Sequence, residues 1–394
     1  MQRNQRTEPP QWWTERVSAP TRAPETSRRI PPAEEFPGFR EYLSMRFGPE
    51  AAEARMESLA APSSGGVKQG GYGVPHLVRW SERGVPRTVV LETVRPAGFG
   101  HEDRSDRAGL MLRAYEDYGT LPRHVAAVDV GAFREDGPAI SLADAGEAFL
   151  LTEFAEGAPY AEDFDRIASR GALEDVDRRR ADALADYLAE IHRRPASHPT
   201  WYRRRLRELV GSGECIAGIA DSYPVPCGFV DARLLCDVET LALMWRYRLR
   251  DRGERLRTIH GDFHPWNILF ARGEEFRVLD RSRGPLGDPA DDVASLSVNY
   301  LFYALRTAGR FEGPFADLFR RFWDRYGERS GDSGLAAAIA PHFAFRALVL
   351  ANPLWYPHES ETVRRQLFRF LFGVLESERF SPERIQEHLD RTFP

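Results

Sequence analysis

The segment Ile259-His260-Gly261-Asp262-Phe263-His264-Pro265-Trp266-Asn267-Ile268-Leu269-Phe270 constrains this chain more than any other. It sets out a His, an Asp and, five residues beyond that Asp, an Asn, in the order H-x-D-x4-N. A loop that catalyses phosphoryl transfer needs such groups, a carboxylate to take a hydroxyl proton and an amide oxygen for Mg²⁺. The next residues complete the pattern. An apolar run (Ile268, Leu269, Phe270) meets a turn at Arg272-Gly273-Glu274, and a second run (Phe276, Val278, Leu279) ends in Asp280. Two short strands around a Gly-containing turn predict a β-hairpin. Paired strands lie roughly 4.8 Å apart, so the fold should make Asn267 and Asp280 neighbours. They would then form a pair of hard oxygen ligands of the kind Mg²⁺ takes alongside phosphates. Asp262 falls just outside, placed to act on an acceptor.

HGDFHPWNILF followed by VLDRSRGPLGDPADDVASL resembles the signature of the aminoglycoside phosphotransferase and choline kinase superfamily, relatives of the protein kinases. That pattern carries an H-G-D-x-x-x-x-N loop, a metal Asp after two hydrophobic residues, and a G-D-P-x-x-D-hydrophobic-A segment. Gly287-Asp288-Pro289 and Asp292-Val293-Ala294 match the last part. Three spaced elements agree in order, against the plain alternative of a chance hairpin between polar caps. Protein kinases usually show Arg between the His and the Asp, and Gly after the metal Asp. Gly261 and Arg281 stand there instead, which points to the small-molecule branch.

The resemblance implies an α+β, two-lobed, protein-kinase-like fold, with an antiparallel sheet plus helix in the N-lobe and a mostly helical C-lobe. It also implies ATP and Mg²⁺ as cofactors, with ATP between the lobes and its phosphates under a glycine-rich loop. Asn267 and Asp280 would then bind Mg²⁺, and Asp262 would accept or orient the proton of an acceptor hydroxyl. His260 supports the loop, His264 is structural, and Asp288 and Asp292 order the start of the following helix.

Composition narrows the class. With 394 residues, 42% hydrophobic and 29% charged, the chain suits two domains or one large two-lobed one. A net charge of −5 gives no argument for nucleic acid or an anionic membrane as partner. No apolar run approaches the ~20 residues of a transmembrane helix. The polar, Pro-rich N-terminus has no apolar signal region, so a cytoplasmic location is expected. Cys215, Cys227 and Cys236 form no C-x-x-C pair and read as thiols in a reducing compartment. Of 54 Lys and Arg residues, one alone is lysine, Lys68.

Residues 1–35, rich in Pro, Arg, Glu and Thr, read as a mobile tail. Residues 36–155 form the expected N-lobe and residues 156–394 the helical C-lobe. Apolar residues at helical spacing (Phe39, Leu43, Phe47) lead in. Then comes a glycine-rich stretch, Ser63 to Gly73, holding Lys68, Gly70, Gly71 and Gly73. Glycines let backbone amides approach phosphates, although most Gly/Ser clusters are plain flexible loops. His76–Trp80 and Arg87–Val94 read as strands about a turn at Gly84-Val85-Pro86.

In the family this third strand ends in a lysine that grips the α- and β-phosphates. Here Val90-Leu91 is followed by Glu92, and a carboxylate near a triphosphate repels it. Three readings compete. Lys68 supplies the missing charge; Glu92 pairs with Arg107 or Arg113 of the next helix; or the site is inactive. That helix is expected over Glu102–Tyr118, with Ala108, Leu112 and Tyr115 on one face and Glu116 as the residue that would meet a strand lysine. Strands are expected at Val125–Phe133 and Ala148–Phe154, and the backbone at Glu153 to Ala155 would hydrogen-bond adenine.

From Tyr160 the chain reads as mostly helical, with helices over Asp177–Arg193, Leu206–Gly213 and Val230–Arg250 before the loop. Five more come after it, at Val293–Thr307, Pro314–Tyr326, Leu335–Ala351, Glu361–Ser377 and Pro382–Arg391. His192 reads as a packed or capping histidine. Glu359 and Glu361, with Trp355 and Tyr356, could hold a cationic acceptor by charge and cation–π contact; a solvated loop with two surface acids explains the same residues. The reading is an ATP-dependent phosphotransferase acting on a hydroxyl of a small molecule (an amino sugar, antibiotic, amino alcohol or related metabolite). The alternative is a nucleotide-binding pseudokinase, which Glu92 favours.

Overall fold

The computed structural model describes residues 36, 38–59, 73–96, 100–120, 124–134, 136–148, 150–196, 200–225, 227–281 and 283–393. The expectations for the N-terminal tail and for Lys68, Gly70 and Gly71 lie outside them. The described residues fall into two compact units that meet in sequence between Thr152 and Glu153.

The smaller unit holds α1 (Phe39–Phe47), β1 (Arg55–Ser58), β2 (Gly73–Glu82), β3 (Val85–Val94), α2 (Arg104–Asp117), β4 (Gly131–Ala132) and β5 (Ile140–Ser141). β1, β2 and β3 form an antiparallel sheet in that order. The β2–β3 turn is Arg83-Gly84, both with positive φ (51° and 79°), and Glu82 pairs with Val85. Two-residue turns of this hand match the twist of the flanking strands, so the hairpin runs longer than the sequence suggests. Pro86 is tolerated because β3 is an edge strand. Phe39, Leu43, Ala54, Val78 and Trp80 make a small core. α2 buries no residue, so the apolar face expected of Ala108, Leu112 and Tyr115 does not form a core contact.

Two expected strands fail. Of Val125–Phe133 only Gly131 and Ala132 pair, with Ile140 and Ser141. Ala148–Phe154 contains no strand among its described residues, and Leu150, Leu151 and Phe154 are 85%, 85% and 91% exposed. Glu153 and Ala155 therefore sit in irregular chain rather than at a strand end. An apolar run becomes a strand only where a neighbour takes its backbone hydrogen bonds, and none does so here among the described residues.

The larger unit is mostly helical: α3 (Tyr160–Arg170), α4 (Asp175–Ile191), α5 (Trp201–Gly211), α6 (Ile216–Asp221) and α7 (Ala232–Leu249) precede the segment 257–287. After it come α8 (Ala290–Ala308), α9 (Gly313–Ser330), α10 (Ala340–Ala351), α11 (Glu361–Leu375) and α12 (Ile385–Leu389). Caps set several starts. Asp231 accepts from Leu234 N at the head of α7, and Ser360 accepts from Val363 N at the head of α11. α4 lays Leu184 and Leu188 into the core. α8 is buried from Ala290 to Leu305, polar residues included, as befits a central helix. Around it pack Tyr160, Phe164, Phe315, Phe343 and Phe368. The three cysteines are free thiols. No helix among the described residues is long and apolar enough to cross a membrane.

Candidate active site

Small strands from the middle of the larger unit build the site. β7 (Arg257–Thr258) pairs antiparallel with β10 (Leu286–Gly287), and Ile259 N extends the contact to Pro285 O at 3.0 Å. The chain then turns at Gly261, whose φ of 91° suits glycine and no L side chain. Arginine, usual here in protein kinases, would be strained.

The turn is pinned by Asp292, fully buried in the first turn of α8. Its Oδ2 accepts from His260 N at 2.7 Å and lies 3.0 Å from His192 Nε2; its Oδ1 accepts from Gly261 N at 2.7 Å. Contrary to the expectation, Asp292 therefore does not cap its own helix but ties that helix to the loop. Asp288 takes the capping role: its Oδ1 accepts from Ala290 N at 3.0 Å and its carbonyl from Asp291 N at 3.0 Å. It also sits in a separate cluster, gripped by Arg255 (2.7 and 2.8 Å) and by Tyr202 Oη (2.8 Å), and no described contact joins it to Asp262. His192, whose other nitrogen is 2.9 Å from Tyr326 Oη, is the packed histidine anticipated.

Asp262 comes directly after the turn. Its carbonyl accepts from His264 N (3.0 Å) and from Asn267 Nδ2 (3.1 Å), while His264 O accepts from Asn267 N (2.9 Å). A carbonyl can only accept, so Asn267 presents its amide nitrogen to the loop and keeps Oδ1 for another partner. β8 (Ile268–Phe270) then pairs with β9 (Phe276–Val278), Ile268 opposite Val278, and β6 (Ala158–Pro159) flanks β8. Leu279 N donates to Asn267 O at 2.8 Å, so Asp280 stands one residue beyond the pair that closes the hairpin. Asp280 adopts φ 52°, one of two non-glycine residues in the left-handed region among the described residues. Such strain is held where a side chain is required at that point. Arg281 folds back and donates to Ile259 O at 2.8 and 3.0 Å, closing the ring from hairpin to loop.

The Asp262 carboxylate faces cations. Arg346 of α10 donates directly to its Oδ1, and the same guanidinium reaches Gly261 O and Asp291 Oδ1, both at 3.1 Å. Arg283 Nε and His264 Nε2 stand 3.8 and 3.6 Å from Oδ2. Burial would raise the Asp262 carboxyl, but His264, Arg346 and Arg283 outweigh it and hold it well below the usual carboxylate range. Asp291 is treated alike: burial pushes up, while His342, Arg346 and Arg205 pull it far down. Burial pushes the His260 imidazole below its ordinary range, against the pull of Asp292 and Asp262. Beside this constellation opens a cavity of about 350 Å³, with His264, Trp266, Ser295, Asn299, Arg346 and Trp355 among its walls.

Of the expected site residues, Asp262, Asn267, Asp280, His260 and Asp292 converge on one loop and hairpin. Gly73 opens β2, and Glu92 lies exposed on β3 opposite Pro75. No ion pair joins Glu92 to Arg107 or Arg113 among the described residues; Arg107 donates instead to His101 O and Glu102 O. The reversed ion pair is thus not formed. Glu359 and Glu361 do not line the cavity, though Trp355 and Tyr356 do. Sequence reasoning missed Arg346 and Asp291. A lone arginine inside the apolar run Phe343–Leu350 was the available signal, since a buried charge must find partners.

A family model described as the phosphotransferase enzyme family matches residues 100–333. Solved structures that resemble the chain include an ethanolamine kinase from Plasmodium vivax (12% identity, 89% of this chain and 85% of that one, TM-score 0.32). A choline/ethanolamine kinase family protein from Mesorhizobium loti is another (14%, 89% and 97%, TM-score 0.37). So is an amicoumacin kinase solved with AMP-PNP and Ca²⁺ (13%, 84% and 91%, TM-score 0.40). No curated protein matches the sequence.

Proposed function

The chain belongs to the phosphotransferase enzyme family, and from that premise we propose that it moves the γ-phosphoryl group of ATP to a hydroxyl of a small molecule at Asp262. The observation that carries the reading is the convergence of an Asp292-pinned Asp262 with the hairpin ends bearing Asn267 and Asp280, next to a ligand-sized cavity.

The donor set fits a hard divalent cation. Asn267 offers an amide oxygen and Asp280 a carboxylate, and Mg²⁺ is commonly held by one or two such groups with phosphates completing its shell. Among the described residues no three His, Cys, Asp or Glu side chains gather to hold an ion unaided, in keeping with a site that phosphates complete. Bound there, Mg²⁺ would neutralise charge on the phosphates.

Asp262 takes the acceptor hydroxyl as a hydrogen-bond donor and aims its oxygen. As the bond from the acceptor oxygen to phosphorus forms and the bond to the ADP oxygen breaks, the hydroxyl proton passes to Asp262 and then to water. Held so far down by its cations, Asp262 is always ionised near neutral pH and is a weak base. Orientation with late proton transfer is what a loose phosphoryl-transfer transition state asks of it. Asp292 and Arg281 are positioning residues, acting through the loop backbone.

The test is ADP release from Mg·ATP across hydroxylated acceptors, with nucleotide affinity measured alongside. Asp262→Asn should lower turnover by roughly 10²-fold or more while leaving nucleotide binding intact. Tight Mg·ATP binding by the native chain with no turnover on any acceptor would instead favour a scaffold role, to which Glu92, with no ion pair among the described residues, lends support.

A further inference from the structure

The cavity beside Asp262 has a composition that selects among acceptors. Its volume, about 350 Å³, lies at the small end of ligand sites. Two of its walls, His264 and Arg346, are the residues that flank the Asp262 carboxylate, so a molecule seated there lies against the reacting group. Among the described residues that line it, none is Asp or Glu.

The acids that follow Tyr356 are engaged elsewhere. Glu359 Oε2 is 2.8 Å from Arg306 Nε, and its Oε1 accepts from Ser360 N at 2.8 Å. Glu361 Oε1 is 2.7 Å from Arg365 Nη2. An aromatic wall alone would also suit an ammonium ion. Here, however, an entering cation would meet Arg346, and the two carboxylates beyond it, Asp262 and Asp291, are already paired with that arginine, Asp262 lying within 4 Å of Arg283 as well. Repulsion between like charges decides against a cation.

Buried polar atoms without partners among the described residues (Ser295 Oγ, Asn299 Oδ1, His264 Nδ1 and Arg346 Nε) line the cavity, and the first two say what it takes. Ser295 and Asn299, one turn apart on α8, are 0% and 4% exposed and both line it. Asn299 Nδ2 donates to Ser295 O at 2.7 Å, while Oδ1 has no partner among the described residues; nor does Ser295 Oγ. Buried polar atoms are almost always paired in folded proteins, so an orphaned oxygen and an orphaned hydroxyl side by side are a place for hydroxyl groups of a ligand. An anion would meet an Arg346 whose charge is already balanced by Asp262 and Asp291, would face the Asn299 oxygen, and is disfavoured. At the mouth, Trp266 and Trp355 are 40% and 55% exposed, with the Trp266 and Tyr356 rings 6.4 Å apart. Uncovered indoles at a pocket rim suit a flat apolar face.

Resting on the phosphotransferase reading above, we infer that the acceptor is an uncharged, polyhydroxylated molecule with one flat apolar face, in the class of an aryl glycoside. Its hydroxyls meet Ser295 and Asn299, its flat face meets Trp266 and Trp355, and one hydroxyl reaches Asp262.

The experiment uses phenyl β-D-glucoside with its 2-amino-2-deoxy counterpart, a cation at pH 7, and its uronate counterpart, an anion. Binding to the full chain is read by tryptophan fluorescence without nucleotide, and ADP release is read with Mg·ATP. The neutral glycoside should bind at least about tenfold more tightly than either charged counterpart. Ser295→Ala, Asn299→Leu and Trp355→Ala should each weaken it by roughly three- to tenfold, the rim position of Trp355 guarding against failure to fold. Equal or better binding of the amine or the uronate, or no binding of any of the three, overturns the inference. Binding of the neutral glycoside without ADP release upholds the pocket and sinks the phosphotransferase reading. ADP release driven best by the amine does the reverse.

Discussion

Replacing Arg346 with Met should destabilise the larger unit in a way that depends on pH. The guanidinium is 7% exposed and serves three acceptors: Asp262, Asp291 Oδ1 and Gly261 O, the last two at 3.1 Å. Methionine fills much of the space but leaves two carboxylates, whose side chains are 13% and 11% exposed, with only more distant basic groups (Arg283, Arg205 and two imidazoles) at 3.6 to 3.8 Å. Removing one partner of a buried ion pair costs about 3–5 kcal/mol. For a unit of this size each kcal/mol moves the melting temperature by about 2–4 °C, so a fall of roughly 6–20 °C is expected.

The pH dependence carries the sign. In the native chain both carboxyls are depressed, so their stabilisation is present above the unfolded carboxylate range and is lost only as pH falls through their lower folded values. In Arg346→Met burial is less opposed, and their folded values rise. The variant then loses stability as pH climbs through those raised values, by up to about 1.4 kcal/mol per pH unit per group. Urea unfolding followed by circular dichroism at pH 5, 6, 7 and 8 should show a deficit that is largest at pH 8 and shrinks towards pH 5. A deficit below about 1 kcal/mol at pH 8, or one that does not vary with pH, would refute the electrostatic account of this cluster.

Two further substitutions separate the loop from the nucleotide. Asp292→Asn keeps the shape but puts an amide donor against one of the His260 and Gly261 amides, which should cost about 2–4 kcal/mol in thermal unfolding. It should also cut turnover far more than nucleotide affinity; unchanged turnover would show that the loop does not depend on this anchor. Lys68→Ala should weaken ATP binding by about tenfold or more if this lysine replaces the strand lysine, and equal nucleotide dissociation constants for native and variant chains would rule it out.

How much of this the sequence discloses depends on distance along the chain. The loop and hairpin from His260 to Asp280 are legible because their geometry is local: a turn, two short strands and a fixed register bring Asn267 and Asp280 to one end. Helix starts at Asp231 and Ser360 are legible for the same reason, as the cap lies within three residues of its donor. Arg346 is not legible as a site residue. It lies 84 residues beyond Asp262 and reaches it only through the packing of α10. Ser295 and Asn299 read as ordinary residues of an apolar helix, and only burial without partners marks them. The missing strand at Ala148–Phe154 fails for a related reason: an apolar run states a preference for extended chain, but the pairing that would realise it is not written locally. Asp292 shows a subtler limit. Its place near a helix start suggests a cap, yet Asp288 meets the helix amides and leaves Asp292 free to bind the loop.

The central claim is that the Asn267 and Asp280 ends of the hairpin hold one divalent ion with the phosphates of a nucleotide. Electron paramagnetic resonance of Mn²⁺, titrated into the native chain with and without a non-hydrolysable ATP analogue, measures that site directly. The account predicts a single Mn²⁺ site that tightens when the analogue is present, and affinity at least about tenfold weaker in Asp280→Ala and in Asn267→Ala. Native Mn²⁺ affinity in both variants, with the analogue still bound, would contradict it.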